Sequence, residues 1–139
     1  MRSIAPRVLT QPSPLDLVTK TALASLEAKA KDPVILNIGK LTDIAQYFVI
    51  VTGRSDRHVQ GITHHILQAL ETLGIEPSSI EGLETAHWVL LDCDEVIVHI
   101  FYEPIRSRYD LEGLWARAKR VNVEGAICQR HESEMANTP

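Results

Sequence analysis

Between His58 and Ile105 the chain of 139 residues has no lysine or arginine, although fourteen stand elsewhere. Glu71, Glu76, Glu81, Glu84, Asp92, Asp94, Glu95 and Glu103 all fall inside that stretch. Nucleic-acid binding takes its affinity from cations that neutralise phosphates, so the middle third is a poor candidate for direct RNA or DNA contact. A basic protein suits it better as a partner. Long apolar runs are missing too: none nears the ~20 residues of a membrane span. Pro6 and Pro12 interrupt what a secretory core would need. The reading is a cytoplasmic protein that contacts no membrane. The segment before Asp16 lacks acids and holds Arg2, Ser3, Arg7 and Thr10, a composition shared by transit peptides and frayed N-termini. We adopt the frayed terminus. Cysteine is scarce: Cys93 and Cys128 form no Cys-x-x-Cys pair, which excludes a disulfide framework or a zinc site and fits a reducing cytosol.

What is present is enough apolar content, 45%, for one ordinary core. The expected organisation is a flexible N-terminus over 1–12, one α/β domain over 13–121 and a loose tail over 122–139. "SPLDLVTKTALASLEAKAKDP" reads as a first helix, with Ser13 as cap, Pro14 at its first position and Leu15, Val18, Ala22 and Leu26 as the inward stripe; Asp32-Pro33 stops it. "VILNI" (34–38) and "YFVIVTG" (47–53) read as strands, the second buried on both faces. "SDRHVQGITHHILQALETLGI" is the most regular helix, with Val59, Ile62, Ile66, Ala69, Leu70 and Leu73 inward and Gly74 as its left-handed terminator. "LEGLWARAKRV" reads as a closing amphipathic helix with Leu111, Leu114, Trp115, Ala118 and Val121 on one side. Helices alternating with strands imply a mixed β-sheet flanked by helices.

The stretch "LLDCDEVIVHIF" (90–101) sets three carboxylates between two strand-forming runs. A tight turn at Cys93-Asp94 pairs Trp88 with His99, Leu90 with Ile97 and Asp92 with Glu95. One face then carries Val89, Leu91, Val96, Val98 and Ile100, for helices to cover. The other carries Trp88, Leu90, Ile97, His99 and Phe101, ending in Asp92 and Glu95. An aromatic beside an imidazole with an acidic rim has the make-up of an interface. It fits a second buried layer, with His99 a satisfied core residue, equally well.

Two chemical readings compete with docking. Asp92 and Asp94 have the Asp-x-Asp spacing of metal-dependent nucleotidyl transfer, but the turn falls between them, and no nearby Lys or Arg could hold a triphosphate. A polar turn accounts for them better. "TGRSDRH" (52–58) runs from strand to helix start, where free N–H groups can hold phosphate, yet it lacks the glycines and lysine of a phosphate loop. Ser55 or Asp56 as a helix cap explains it, and His58, His64 and His65 lack the i, i+4 spacing of a metal pair.

"FVIVTGRSDRHVQGI", Glu81-Gly82, "WVLLDCDEVIVHIF" and "RSRYDLEGLW" stand in the order and spacing of the ribosomal silencing factor, or Iojap, family, which the chain resembles over roughly 14–120. The resemblance implies a nucleotidyltransferase-like fold without catalysis. It also implies a partner, the large-subunit ribosomal protein number fourteen, bound so that the small subunit cannot join and translation falls under nutrient limitation. A homodimer when free is implied as well. Trp88, Asp92, His99, Arg106, Tyr109, Leu111, Glu112, Leu114 and Trp115 stand at matching positions. The partner-binding set is Trp88, Asp92, Glu95, His99, Arg106 and Tyr109, with no cofactor or metal. The chain departs where Asp94 takes the turn glycine's place, Glu95 the second acid's, and Gln46 that of a frequent Asp. The alternative is a metal-dependent nucleotidyltransferase-type enzyme using Asp92 and Asp94.

Overall fold

The computed structural model describes residues 12–125 and Ile127. The flexible N-terminus expected over 1–12 thus lies outside the described residues except for Pro12, as does most of the tail expected over 122–139, with Cys128. In chain order the elements are α1 (Pro14–Glu27), β1 (Lys31–Asn37), β2 (Tyr47–Gly53), α2 (Asp56–Thr72), β3 (Ser79–Glu81), β4 (Trp88–Cys93), β5 (Val96–Tyr102), α3 (Glu103–Tyr109), α4 (Leu111–Leu114) and β6 (Lys119–Val121). The strands form one six-stranded sheet in the order β3-β4-β5-β2-β1-β6. Only β2 and β5 run parallel; every other pair is antiparallel. This is the mixed α/β domain expected.

Helix α1 begins where Ser13 accepts a hydrogen bond from the Asp16 N–H at 3.1 Å, while the Asp16 carboxylate accepts from the Ser13 N–H at 3.3 Å. That reciprocal cap satisfies two donors a helix start leaves free. The inward stripe differs from the expected one. Leu17, Val18, Thr21, Ala22, Ala24 and Ser25 are buried, whereas Leu15 and Leu26 are exposed. Burying hydroxyls costs little here, because Thr21 donates to the Leu17 carbonyl at 2.8 Å and Ser25 to that of Ala22 at 2.7 Å. Small side chains then bring α1 close to α2 and the sheet. The helix stops at Glu27, before Asp32-Pro33, and Pro33 instead sits in β1 at an irregularity between Lys31 and Val34. A bulge tolerates a residue that cannot donate to the ladder.

Strand β2 is buried along its whole length, as its unbroken apolar run implies. α2 follows the expected pattern: Val59, Ile62, Ile66 and Leu70 are fully buried, Ala69 and Leu73 pack beside them, and Gly74 has φ 72° just beyond the end. Ser55 caps it, its hydroxyl accepting from the His58 N–H at 3.0 Å. His58 Nδ1 accepts from the Arg54 N–H at 3.0 Å, so its Nε2 donates to the Ala28 carbonyl at 2.9 Å. That histidine joins the start of α2 to the end of α1.

The closing helix is the main correction. Of residues 111–121 only Leu111–Leu114 is helical, Leu114 is 77% exposed, and Lys119–Val121 forms an edge strand pairing with Ile35–Asn37. The open edge of β1 has backbone groups of its own, and a helix, whose hydrogen bonds are internal, would leave them without the partners that Lys119–Val121 supplies. The short helix α3 and strand β3 were not foreseen. Beyond β6, Val123 and Ile127 pack against the core.

Two apolar clusters form, one on each sheet face. α1 and α2 cover Ile35, Val49, Val51, Val89, Leu91, Val98 and Ile100. The opposite cluster holds Leu36, Phe48, Ile50, Phe101 and Leu111, with Trp88, Ile97, Ile105 and Trp115 at its margin. Between β3 and β4 the chain turns at Gly82, φ 82°, where a Cβ would run into the Trp88 carbonyl oxygen. We expect Gly82→Ala to lower stability by about 2 kcal/mol, from left-handed strain plus displacement of β4. Urea denaturation checks this, and wild-type stability would show that the turn can be rebuilt freely.

Candidate functional site

The β4–β5 hairpin turns at Asp94-Glu95, one residue later than expected, so Trp88 stands opposite Phe101, Leu90 opposite His99 and Asp92 opposite Ile97. Asp94 takes the left-handed position at φ 66°, and its N–H donates to Asp92 Oδ1 at 2.9 Å. An aspartate two residues ahead can supply that bond, which is why the turn settles there in place of the expected Cys93-Asp94. Sliding the turn by one residue changes each partner by two positions and therefore leaves the faces intact. Val89, Leu91, Val96, Val98 and Ile100 are fully buried under the helices, each contributing roughly 1.5–3 kcal/mol. The other face carries Trp88, Leu90, Ile97, His99 and Phe101, as read from the sequence.

On that face the aromatic side chains form a continuous row. Tyr109 from α3 lies 4.8 Å from Trp88, Trp88 stacks on Phe101 at 4.9 Å, and His99 meets Phe48 edge-on at 4.6 Å. Phe48 in turn contacts Trp115 at 5.3 Å. Both tryptophans, both phenylalanines and Tyr109 are gathered there. Trp88 and His99 do touch, though diagonally, with the Trp88 Nε1–H donating to His99 Nδ1 at 3.1 Å. His99 is only 4% exposed and its Nε2 has no partner among the described residues. Burial pushes its pKa down to about 4. Trp88, Leu90 and Ile97 remain half-buried, and Tyr109 is 51% exposed.

The three carboxylates of the hairpin stand in different settings. The Asp92 carboxylate binds the turn, and its carbonyl accepts from the Ser78 N–H at 2.8 Å on the β3 side. The Glu95 carbonyl accepts from Gln46 and Tyr47 on the β2 side, at 2.8 and 3.1 Å. Among the described residues no group of three His, Cys, Asp or Glu could hold a metal ion. Between the acids, Cys93 points to the helix side, where burial first, and then Asp92 and Asp94, push its thiol up to about 11. It stays protonated and inert.

Arg106 looks inward. Its side chain is 11% exposed; Nε and one terminal nitrogen form a fork on Glu112 at 3.3 and 2.9 Å. The other terminal nitrogen donates to the Asp32 carbonyl at 2.7 Å and to the Thr52 hydroxyl at 2.6 Å. The fork holds the Glu112 carboxyl below its usual range. One guanidinium thus locks α3 and α4 to the ends of β1 and β2, and α3 carries Tyr109 onto Trp88. Sequence reasoning found Arg106 and Glu112 only by position in a motif. Their mutual pairing needed the fold.

The fold is a mixed α/β domain with an aromatic patch on one sheet face and acidic residues at the hairpin end. Comparison with known proteins gives its family. Residues 11–139 match the family described as ribosomal silencing factor during starvation, and the chain belongs to that family. It is 41% identical over 101 residues to the ribosomal silencing factor RsfS of Halalkalibacterium halodurans, covering 73% of this chain and 86% of that one. A Bacillus halodurans crystal structure superposes with TM-score 0.69 at 34% identity, covering 77% of this chain and 97% of that one. The mouse protein named mitochondrial assembly of ribosomal large subunit protein 1 is 27% identical over 114 residues, 76% of this chain and half of its own length.

Two outcomes are expected. Arg106→Lys loses the fork and should cost about 2 kcal/mol in denaturant unfolding, since a single ammonium cannot bind Glu112, Thr52 and Asp32 together. Unfolded His99 takes a proton below about pH 6.5 but the folded one only below about 4. Stability is therefore complete above pH 6.5 and falls toward pH 4, by about 3 kcal/mol in all. His99→Phe should remove that share of the acid dependence, measured as the difference between unfolding free energies at pH 7.5 and 4.5.

Proposed function

We propose that this protein is a ribosomal silencing factor that acts by occupying space. Its Trp88 face docks on a basic protein of the large subunit, the ribosomal protein number fourteen, and its bulk then keeps the small subunit from joining, lowering translation when nutrients fall. The observation that carries the reading is the patch of half-buried Trp88, Leu90 and Ile97 with exposed Tyr109 against Trp88; the first three and the neighbouring Asp92 fall in the stretch without lysine or arginine. Aromatic centres supply anchoring area and acidic rims select a basic partner. The names of the family and of its mouse relative support a ribosomal target.

In this reading Trp88 and Tyr109 are the anchors and Asp92, with Glu95 at the turn, pairs with cations of the partner. Buried His99 and the internally bonded Arg106 support the face from behind. Work on ribosomes places the protein in the cytoplasm, and the same patch can serve a homodimer when no ribosome is present. No helix among the described residues is long and apolar enough to cross a membrane. Nothing favours the metal-dependent enzyme reading: the Asp92 carboxylate is occupied by the Asp94 N–H within the turn.

Trp88→Ala should weaken binding to isolated large ribosomal subunits by about 2 kcal/mol, roughly thirtyfold, in co-sedimentation. Asp92→Ala should weaken it less and flatten its salt dependence. A folded Trp88→Ala variant that sediments with large subunits as fully as wild type would remove the docking face from this part of the molecule.

A further inference from the structure

His99 occupies an unfavourable position for a histidine. It sits at 4% exposure between Phe48, Trp88 and Phe101, and its Nε2 meets no acceptor among the described residues. The indole can only donate, so Nδ1 must be the acceptor of the 3.1 Å bond and the ring's proton must lie on the orphaned Nε2. A buried N–H without a partner is costly, and an apolar ring of the same size would avoid that cost. The imidazole makes one side-chain hydrogen bond among the described residues, and that bond is to Trp88.

The contacts around Trp88 divide the task of orienting it. Phe101 stacks beneath the ring at 27° and Tyr109 closes over it, which fixes the plane of the indole. Stacking does not fix rotation within that plane or a flip of the ring. A hydrogen bond from one specific edge atom does. Ordering an anchor before it docks removes that loss of freedom from the binding step.

We propose that His99 is a positioning residue: it touches no partner, and through Nδ1 it holds the Trp88 indole in its docking orientation at the expense of an unsatisfied Nε2–H. The inference rests on the docking face proposed above. It implies that binding and stability respond oppositely at this position, since the polar atom serves the anchor and not the core.

The experiment compares wild type, His99→Phe, His99→Leu, His99→Gln and Trp88→Ala. Two readouts are used: the indole N–H signals in nitrogen-15 NMR spectra, with that of Trp88 assigned by its absence in Trp88→Ala, and affinity for isolated large ribosomal subunits. In His99→Phe, with His99→Leu as the second apolar variant should the first not fold, the Trp88 indole signal should move and exchange faster with solvent. The melting temperature at neutral pH should be no lower than wild type, and affinity should fall about tenfold. His99→Gln, which retains an acceptor, should restore most of the affinity. Loss of binding in Trp88→Ala together with binding within twofold of wild type in the apolar variants overturns the positioning role alone. Tenfold weaker binding by His99→Gln with its indole still bonded overturns it as well. Unchanged binding in Trp88→Ala overturns the docking face itself, and the positioning role with it.

Discussion

The rest of the structure depends on the two-residue alternation of the β4–β5 hairpin. It sends Val89, Leu91, Val96, Val98 and Ile100 to one side of the sheet and Trp88, Leu90, Ile97, His99 and Phe101 to the other. The first set has no polar atom on its side chains and can only be covered, which recruits α1 and α2. The second set mixes rings, an imidazole and aliphatics, and it is covered only in part. Parallel pairing of β5 with β2 then extends both faces inward, so Phe48 and Ile50 continue the aromatic side while Val49 and Val51 continue the aliphatic one. One alternation therefore decides both where the core lies and where the protein presents a surface.

The aromatic side is ordered by two polar devices rather than by packing alone. Arg106 brings four separate pieces of chain together, the ends of β1 and β2 with α3 and α4, through bonds of 2.6 to 3.3 Å. His99 accepts a hydrogen bond from the Nε1–H edge of the Trp88 ring. Both residues face inward.

Legibility of the sequence followed the range of the physics. α2 was readable because its cap, its 3.6-residue period and its terminating glycine are all local. β2 was readable because seven consecutive buried residues leave no other choice. The stripe of α1 was misread because Thr21 and Ser25 become acceptable core residues only by bonding to carbonyls one turn back, in a helix already pressed against α2. The segment after Tyr109 was misread because its helical period competes with a free strand edge, and the edge exists only once β1 is in place.

The hairpin shows the same division at its smallest scale. The sequence by itself determined the two faces, since parity survives a shift of the turn by one residue, and it determined the acidic character of the middle third. It also determined that Asp92, Asp94 and Glu95 stand together along the chain. Only the tertiary structure decided that Asp92 is engaged with the turn, that Arg106 pairs with Glu112, and that His99 meets the N–H edge of Trp88 with one nitrogen bonded and the other without a partner among the described residues. Those are distances between side chains from different elements, and no periodicity within a single element encodes them.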